Sequence, residues 1–361
     1  MKLLKYVYIT ISICSALGLL CSLISPYFSP ADFWPVAFLG LAFPIIFIGN
    51  VMLLFCWVVL KKKFWIIQAV ILALALLKTP AFLQVNAKAL PIPKPAKTLN
   101  VVSFNTHFMG AFDFAGDDSA YFFKMLDKLN PDIICLQEFV NLGGNYEKPM
   151  FKRFFNQYKF FNNVNADALS TNFPMGFGVC IFTRFPIVNK GFLELENQNS
   201  NLTVFADIVV GSDTIRVVNT HLKSIVFDKQ DYKTIETIKE VDETKPGAMR
   251  RILAKLKYAF KSRAKQADKI RERLQSTNHK VILCGDFNDP PTSYSYLTIK
   301  GNMKDAFRES GKGLSRTYIG KMPSFRIDYI LHDNSWKSYN YETNTLNFSD
   351  HKMVSCTIAL P

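Results

Sequence analysis

The chain has 361 residues, of which 49% are hydrophobic, and carries 43 Lys and Arg against 29 Asp and Glu. This length and composition allow a large buried core and two or three domains, which excludes a small or largely disordered module. The charge is uneven, because residues 1–90 contain seven lysines and a single acid, Asp32. An apolar N-terminal region therefore precedes a mildly basic, globular C-terminal region.

Three apolar segments fill the front of the chain, at residues 6–28, 35–60 and 64–83. A helix of about 20 apolar residues crosses the hydrocarbon core of a bilayer, and the first two segments meet that length without an internal charge. The third segment contains Lys78 and has the shortest uninterrupted apolar stretch. We predict a membrane region over residues 1–87 with three transmembrane helices.

The distribution of lysine predicts the orientation of these helices. Lys2 and Lys5 precede the first segment, residues 61–63 are three consecutive lysines, and the connector at residues 25–32 has no Lys or Arg. Positive loops stay in the cytoplasm, so three spans place the rest of the chain outside it. Residues 88–98, KALPIPKPAKT, then form a proline-rich linker. The sequence thus predicts a multi-pass membrane protein with an extracytoplasmic domain.

The remainder of the chain alternates strand-like and helical patterns. Runs rich in Val, Ile and Phe predict strands at 99–105, 132–138, 177–183, 203–210, 215–222, 280–288, 326–333 and 353–360. Apolar periodicity predicts helices at 117–130 and 247–275. Together these patterns predict a layered α/β domain.

Costly polar residues stand at or near one end of six of these apolar strands. They are Asn105, Gln137, Glu138, Thr220, His221, Asp286, Asn288, Asp328, Asp350 and His351. One such residue is typical of a turn, but several carboxylates together would repel one another without a cation. Carboxylates, an amide and histidines without a thiolate cluster favour a hard ion such as Mg²⁺ or Mn²⁺.

Six short segments occur in a characteristic order: SFNTHF, CLQEF, NTHL, GDFN, RIDYI and SDH. In this order they resemble the signature of the endonuclease/exonuclease/phosphatase superfamily, the DNase I-like phosphodiesterases. The resemblance covers residues 99–361 and implies a four-layer α/β/β/α sandwich with the active site at one edge of two sheets. The apolar front with KDAFRESGKGLSRTY further resembles membrane-anchored bacterial members of the superfamily.

The resemblance implies a role for each matching residue. Glu138 would be the principal ligand of Mg²⁺ or Mn²⁺, with Asn105 and Asp350 close to the ion or its waters. Asp286 would orient or deprotonate the attacking water, and Asn288 and His221 would donate hydrogen bonds to phosphoryl oxygens. His351, held in one tautomer by Asp328, would face the phosphate in its charged form.

Three functions are compatible with these residues. The first is hydrolysis of phosphodiester bonds in nucleic acid, as in endonucleases and exonucleases, and the second is the same chemistry on a phospholipid or a small phosphoester. The THL form at His221 resembles the DNase I, sphingomyelinase and inositol-phosphatase branches, which disfavours abasic-site repair. The third is a non-catalytic membrane binding module, which the complete residue set disfavours. No protein partner is implied.

Two further features have alternative interpretations. Residues 245–275 contain eleven Lys or Arg against Asp268 and Glu272. They form either a surface for polyphosphate backbones or anionic lipid headgroups, or the solvated face of a docked amphipathic helix. His107 either contacts phosphate or packs at the end of its strand.

Overall fold

The computed structural model of the protein describes most of the chain. The described residues are 2–85, 97–108, 117–141, 162–167, 176–195, 202–239, 246–321 and 325–361. Residues 88–96 of the predicted linker lie outside the described residues.

The front of the chain is helical. Its helices are α1 (Lys2–Ile24), α2 (Val36–Leu41), α3 (Phe43–Val59) and α4 (Trp65–Leu76), followed by the short strand β1 (Leu83–Val85). Leu19, Phe43 and Leu72 pack together between the helices. The outer faces are also apolar, since Ile45 and Phe55 are 76% and 69% exposed.

Polar side chains link these apolar helices. Trp57 Nε1 donates a hydrogen bond to Ser12 Oγ at 2.9 Å, and Gln68 Nε2 donates to the Ser12 carbonyl at 3.0 Å. Asn50 Nδ2 donates to Ser15 Oγ at 2.9 Å. Such bonds fix which faces of apolar helices meet, because an unpaired amide is costly in apolar surroundings.

The apolar segments form shorter helices than predicted. Among the described residues, Tyr6–Tyr27 is the one stretch long and apolar enough to cross a membrane. The predicted span at 35–60 is two helices, α2 and α3. The predicted span at 64–83 contains the 12-residue α4, a single 3₁₀ turn at Thr79–Ala81 and the start of β1. Both differences concern length, because Phe43–Val59 and Trp65–Leu76 remain apolar helices.

Pro44 explains the break between α2 and α3. Proline has no N–H to donate to the carbonyl four residues earlier, which is that of Gly40, and its ring clashes with that carbonyl. The Thr292 hydroxyl donates to the Gly40 carbonyl at 2.7 Å. The residue at 40 must be small, because a Cβ there would lie 2.7 Å from both Ser25 Oγ and the Thr292 carbonyl oxygen.

The first of two large sheets has six strands. They are β2 (Lys97–Asn105), β3 (Ile133–Asn141), β4 (Asn162–Asp167), β5 (Gly176–Thr183), β13 (Lys337–Thr345) and β14 (Lys352–Leu360). Their order is β13-β14-β2-β3-β5-β4. Only β2 and β3 are parallel, and helix α5 (Asp117–Leu129) lies between them in the chain. The carboxyl ends of β2 and β3 therefore meet at one edge.

The second sheet also has six strands. They are β6 (Ile187–Glu194), β7 (Leu202–Val210), β8 (Asp213–His221), β9 (Lys280–Asp286), β10 (Lys304–Asp305) and β12 (Asp328–His332), in the order β10-β12-β9-β8-β7-β6. Here β8 and β9 are the parallel pair. The helices α6 (Lys229–Lys239) and α7 (Pro246–Gln275) connect them in the chain, and α8 (Tyr294–Lys300), α9 (Ala306–Ser310) and β11 (Lys312–Leu314) follow β9.

The core lies between the sheets, and helices cover their outer faces. Alternate residues of β2, such as Val101, join a buried cluster with residues of the second sheet, such as Val217. The intervening Phe104 packs instead with Phe122 of α5 on the outer face of the first sheet. On the second sheet, the Arg273 guanidinium of α7 lies 5.0 Å from the Phe205 ring centroid. This is the predicted α/β/β/α sandwich.

The chain divides into two compact units. The first comprises Met1–Leu83, Ile225–Ala267 and Asp289–Thr298, and the second comprises Gln84–Ser224, Asp268–Asn288 and Ile299–Pro361. The first unit thus combines the N-terminal helices with most of α7. The predicted membrane region at 1–87 and catalytic domain at 99–361 are defined by sequence, and they stay a prediction.

Gly40 provides a test of packing in the first unit. We expect Gly40→Ala to lower the free energy of unfolding by about 1–3 kcal/mol, because the added methyl group meets a backbone carbonyl that cannot move freely. Gly49→Ala is the matched control, since a Cβ at this helical glycine meets nothing within 4 Å. Alanine normally stabilises a helix relative to glycine, so this control should be neutral or stabilising. Thermal unfolding of the full chain in detergent distinguishes the two, and equal effects would contradict the close contact at Gly40.

Candidate active site

Strand register brings the predicted polar residues to one edge of the sandwich. In the first sheet Asn105 pairs with Gln137, and in the second His221 pairs with Asp286. Asp328 begins β12 directly opposite Asp286. Parallel pairing within each sheet therefore aligns the strand ends that the sequence marks with polar residues.

Asn105 connects the two sheets at this edge. Its Nδ2 donates to Asp286 Oδ2 at 2.9 Å and to Glu138 Oε1 at 3.3 Å. The Asn105 carbonyl accepts a hydrogen bond from Ser349 Oγ at 2.8 Å. One amide thus holds two carboxylates from different sheets together.

Glu138 occupies a β-bulge. The register of β3 against β5 shifts between Leu136 and Phe139, and Glu138 has a φ of 48°. A positive φ costs a non-glycine residue roughly 1–3 kcal/mol and clusters at functional sites. Burial raises the pKa of Glu138, while the Asn105 amide lowers it. The bulge re-aims the carboxylate toward the neighbouring sheet.

Asp286 and Asn288 form a tight turn after β9. The Asn288 amide N–H donates to Asp286 Oδ1 at 2.8 Å, and Asn288 Nδ2 donates to the Leu222 carbonyl at 3.1 Å. Burial raises the pKa of Asp286 to about 6. Gly285 is essential to the turn, because a Cβ there would overlap the carbonyl oxygen of Thr220.

His351 and Asp328 form a buried pair. His351 Nδ1 lies 3.1 and 3.2 Å from the two carboxylate oxygens of Asp328, and His351 Nε2 lies 3.7 Å from Asp286 Oδ2. Burial opposes the charged imidazole, but Asp328 and Asp286 outweigh it and raise the pKa of His351 to about 10. The rings of His351 and Tyr318 pack in an edge-to-face arrangement, with centroids 5.3 Å apart. His351 is therefore a cation at neutral pH.

His221 is buried and differs from His351 in its charge. Its Nε2 lies 3.5 Å from Glu138 Oε1 and 3.8 Å from Asp286 Oδ2, and it has no hydrogen-bond partner among the described residues. Burial lowers the pKa of His221, so the imidazole is neutral at neutral pH. An orphaned polar atom facing two carboxylates is suited to a ligand that enters the site.

Asp350 contacts a partly exposed histidine. His107 Nδ1 lies 2.5 Å from Asp350 Oδ1, and the His107 side chain is 47% exposed. Burial would raise the pKa of Asp350, but the hydrogen bond with His107 outweighs it and the pKa lies below its usual value. The same bond raises the pKa of His107. His107 therefore contacts a carboxylate of the site, and its contact with phosphate stays a prediction.

Sequence comparison shows the family. A model of the Endonuclease/Exonuclease/phosphatase family matches residues 102–351. The chain belongs to this family. A second family model, a domain of unknown function (DUF8431), matches residues 3–82. No sequence among the curated proteins matches the chain.

Solved structures of the family share the fold. An endonuclease/exonuclease/phosphatase family protein from Bacteroides thetaiotaomicron is 18% identical, with a TM-score of 0.51 over 74% of this chain and 99% of that one. A humanized D. rerio TDP2 carrying 14 mutations is 14% identical, with a TM-score of 0.50 over 72% and 98%. An endonuclease/exonuclease/phosphatase from Beutenbergia cavernae is 18% identical, with a TM-score of 0.50 over 73% and 72%. These likenesses show the DNase I-like fold.

The donor set of this family member fits a divalent cation. Among the described residues, Asp286, Asp328 and His351 offer ligand atoms that lie within 4.8 Å of one another. His351 is charged, however, and both oxygens of Asp328 face its Nδ1. The contact between these two side chains therefore competes with the binding of a cation by either of them. Glu138 and Asp350 are the remaining carboxylates, and oxygen donors of this kind suit Mg²⁺ or Mn²⁺. The predicted ligands Glu138, Asn105 and Asp350 stay a prediction.

Several supporting residues were not singled out from the sequence. Thr317 Oγ1 accepts hydrogen bonds from the N–H groups of Ile327 and Asp328, at 2.9 and 3.1 Å. Asn219, within the NTHL segment, accepts a bond from Gln137 Nε2 at 2.6 Å across the sheets. Asn219 could have been found as a polar residue inside an apolar strand, whereas Thr317 lies in a loop without a pattern.

The buried charge pair predicts a pH-dependent stability. Because the pKa of His351 is raised by folding, the pair stabilises the native state fully below the pKa of an unfolded histidine, about 6.5, and loses this effect as pH rises through about 10. Asp328→Asn removes the charge at nearly constant size. In metal-free buffer, we expect the loss in free energy of unfolding to be largest at or below about pH 6.5 and to shrink toward pH 10.

Chemical denaturation of the full chain at a series of pH values measures this difference. Glu342→Gln is the control, because Glu342 is an exposed carboxylate on β13. A stability loss in Asp328→Asn that is the same at every pH would contradict the charged pair.

Proposed function

We propose that this family member is a divalent-metal-dependent phosphoesterase that hydrolyses phosphodiester bonds. The observation that carries the proposal is the convergence of Asn105, Glu138, His221 and Asp286 at one edge of the two sheets, within hydrogen-bond or ion-pair distance of one another. Packing alone gives no reason to bury two carboxylates beside an unpaired histidine nitrogen.

Asp286 is proposed to orient and deprotonate the attacking water. A general base works best when its pKa is near the working pH, and burial raises the pKa of Asp286 to about 6. Asn105 Nδ2 and the Asn288 amide hold the carboxylate in a fixed direction. The water would thus meet an oriented base whose desolvated charge favours proton acceptance.

The histidines are proposed to bind the phosphoryl group. His221 Nε2 is the buried atom without a partner, so a phosphoryl oxygen that accepts its proton would satisfy it. His351 offers positive charge through Nε2, which Asp328 directs toward Asp286 through its hold on Nδ1. Asn288 is the further predicted donor, although its Nδ2 already donates to the Leu222 carbonyl at 3.1 Å and to Asp286 Oδ2 at 3.3 Å. It would donate to the phosphate only if one of these two bonds is exchanged.

Glu138, with Asn105 and Asp350, would hold Mg²⁺ or Mn²⁺, which when bound withdraws charge from the phosphoryl group and stabilises the leaving oxygen. His107 would then hold Asp350 from the solvent side. The strained backbone at Glu138 fits the role of a metal ligand, because the direction of its carboxylate then matters more than the energetic cost of the positive φ.

Nucleic acid is the first candidate substrate, because the motifs resemble those of endonucleases and exonucleases. A phospholipid is the second, and the apolar stretch Tyr6–Tyr27 favours it by bringing the enzyme to a bilayer. We propose that this stretch anchors the chain, that the shorter apolar helices α3 and α4 also enter the membrane, and that the catalytic residues lie outside the cytoplasm. The lysines at 2, 5 and 61–63 support this orientation.

Hydrolysis by the full chain in detergent, with Mg²⁺ or Mn²⁺, tests the proposal. The substrates are duplex DNA, RNA, sphingomyelin and bis-nitrophenyl phosphate. We expect Asp286→Asn and Glu138→Gln each to lower the rate by roughly 10²- to 10⁴-fold, because each removes a group that acts on the reacting atoms. Glu342→Gln should keep wild-type activity, since its exposed carboxylate lies on an edge strand away from the motifs.

Equal rates for wild type and both site variants on every substrate would sink the enzyme proposal and favour the non-catalytic binding module. Chelation with EDTA should abolish hydrolysis, and activity that survives it would exclude the metal.

Intact spheroplasts that hydrolyse external bis-nitrophenyl phosphate support the placement of the catalytic residues outside the cytoplasm, whereas activity that appears only after lysis contradicts it.

A further inference from the structure

All but one of the ten basic residues of α7 fall into two groups, and the first group is engaged within the protein. Arg251 Nε and Lys255 Nζ both contact the carboxylate of Asp231, at 2.8 and 2.5 Å. Arg263 is 1% exposed and lies 3.0 Å from Asp289. Nearer the end of the helix, Lys269 Nζ donates to the Leu195 carbonyl at 3.1 Å, and the Arg273 guanidinium faces the Phe205 ring. These charges need no external partner.

The second group is a stripe of basic residues on the first unit's part of α7. The basic stripe consists of Arg250, Lys257, Lys261 and Lys265. Their spacing of seven, four and four residues places them on one face of a helix. No ion pair with a carboxylate involves any of the four among the residues that the structure describes, and all but the half-buried Lys261 are exposed. Within the described part of the chain, the positive charge of this face therefore has no carboxylate in an ion pair with it.

Large apolar side chains accompany the basic stripe. Leu253 and Tyr258 are 38% and 55% exposed on the same helix. Tyrosine is enriched at membrane–water interfaces, where lysine and arginine are attracted to anionic headgroups. A solvated surface needs only the charges.

The same half of α7 contacts the connector between α1 and α2, which we define as residues 28–35. The Lys257 ammonium lies 5.3 Å from the centroid of the Trp34 ring. One turn along, Phe260 of α7 packs edge-on against Phe38 of α2 at 5.1 Å. The connector follows the apolar stretch Tyr6–Tyr27 directly, and tryptophan is enriched at the level of lipid headgroups. The basic stripe thus lies beside the segment that leaves the membrane if α1 spans it.

We propose that the basic stripe binds anionic phospholipid headgroups. Charge complementarity, the exposed Leu253 and Tyr258, and the contact of Lys257 with Trp34 favour a lipid surface over a nucleic acid, which would use the charges but not the apolar groups. The inference rests on the proposed membrane insertion of α1, and it is independent of the proposed hydrolase activity. On this proposal, α7 not only packs within the first unit but also binds that unit to a bilayer that contains anionic phospholipids.

Hydrogen exchange of the full chain in nanodiscs tests the proposal. The discs contain phosphatidylcholine alone or a mixture with phosphatidylglycerol. We expect amides of residues 249–266 to exchange several-fold more slowly in the anionic discs at low salt, and to lose this protection at about 1 M NaCl, where the screening length is about 3 Å. The variant Arg250→Gln, Lys257→Gln, Lys261→Gln, Lys265→Gln should exchange at the same rate in both discs.

A charge-matched control replaces four exposed lysines elsewhere, at positions 124, 128, 312 and 337, by glutamine. It should keep the protection. Equal exchange of the wild type in both discs would overturn the proposal, as would protection by a duplex DNA oligonucleotide in neutral discs that matches or exceeds that by phosphatidylglycerol. Failure of the full chain to enter discs would remove the membrane insertion on which the inference rests, while hydrolase activity measured in detergent stays a separate result.

Discussion

A carboxylate buried at the end of a strand needs hydrogen bonds or a nearby cation to offset the cost of burying its charge. The arrangement of the site depends on the groups that do this for Asp286. An unpaired charge in a protein interior costs several kcal/mol. Asp286 is fully buried, yet it accepts hydrogen bonds from Asn105 and from the Asn288 amide and lies near the cationic His351. Because Asn105 belongs to the other sheet, the partner that stabilises Asp286 also fixes the sheets relative to each other at this edge.

The backbone strain of the site follows from the same requirement. Glu138 adopts a positive φ in a bulge, and Gly285 allows β9 to approach Thr220 so closely that no side chain would fit. Each feature brings a polar group to a position that regular strands would not give it. The resulting cluster combines a neutral His221 with a charged His351, and a protein that needs only stability has little use for such a pair.

The sequence was most informative where the chain is buried. Strands such as β2 and β14, and the helices α5 and α7, lie within two residues of their predicted limits, because apolar runs mark buried strands and apolar periodicity marks helix faces. Six strands were not predicted, and all of them are at sheet edges: β1, β4, β6, β10, β11 and β13. At such an edge a polar sequence such as KSYNYETNT satisfies an exposed face. Pro44 was the available signal for the break in the predicted 35–60 helix.

The members of the site were predictable from the sequence, and the resemblance implied the pair of Asp328 with His351, but the other contacts of the site were not predictable. Strand ends identify Asp286, Asp328 and His351 as polar residues in apolar surroundings, whereas the bond of Asp350 with His107 and the cross-sheet role of Asn219 depend on which strands are neighbours. Pairing is a property of the fold, and no local pattern records it. The resemblance alone implies Glu138 as the principal cation ligand, and the contacts of Asp328 with the charged His351 support the proposal of Glu138 over that pair.

That choice is also the most direct test of the account. Crystals of the full chain grown with Mn²⁺ would reveal the ion by its anomalous scattering. The account predicts a single strong peak within direct coordination distance of the Glu138 carboxylate, with Asp328 and His351 still paired. A peak coordinated by Asp328 and His351 instead, with Glu138 free of metal, would contradict it.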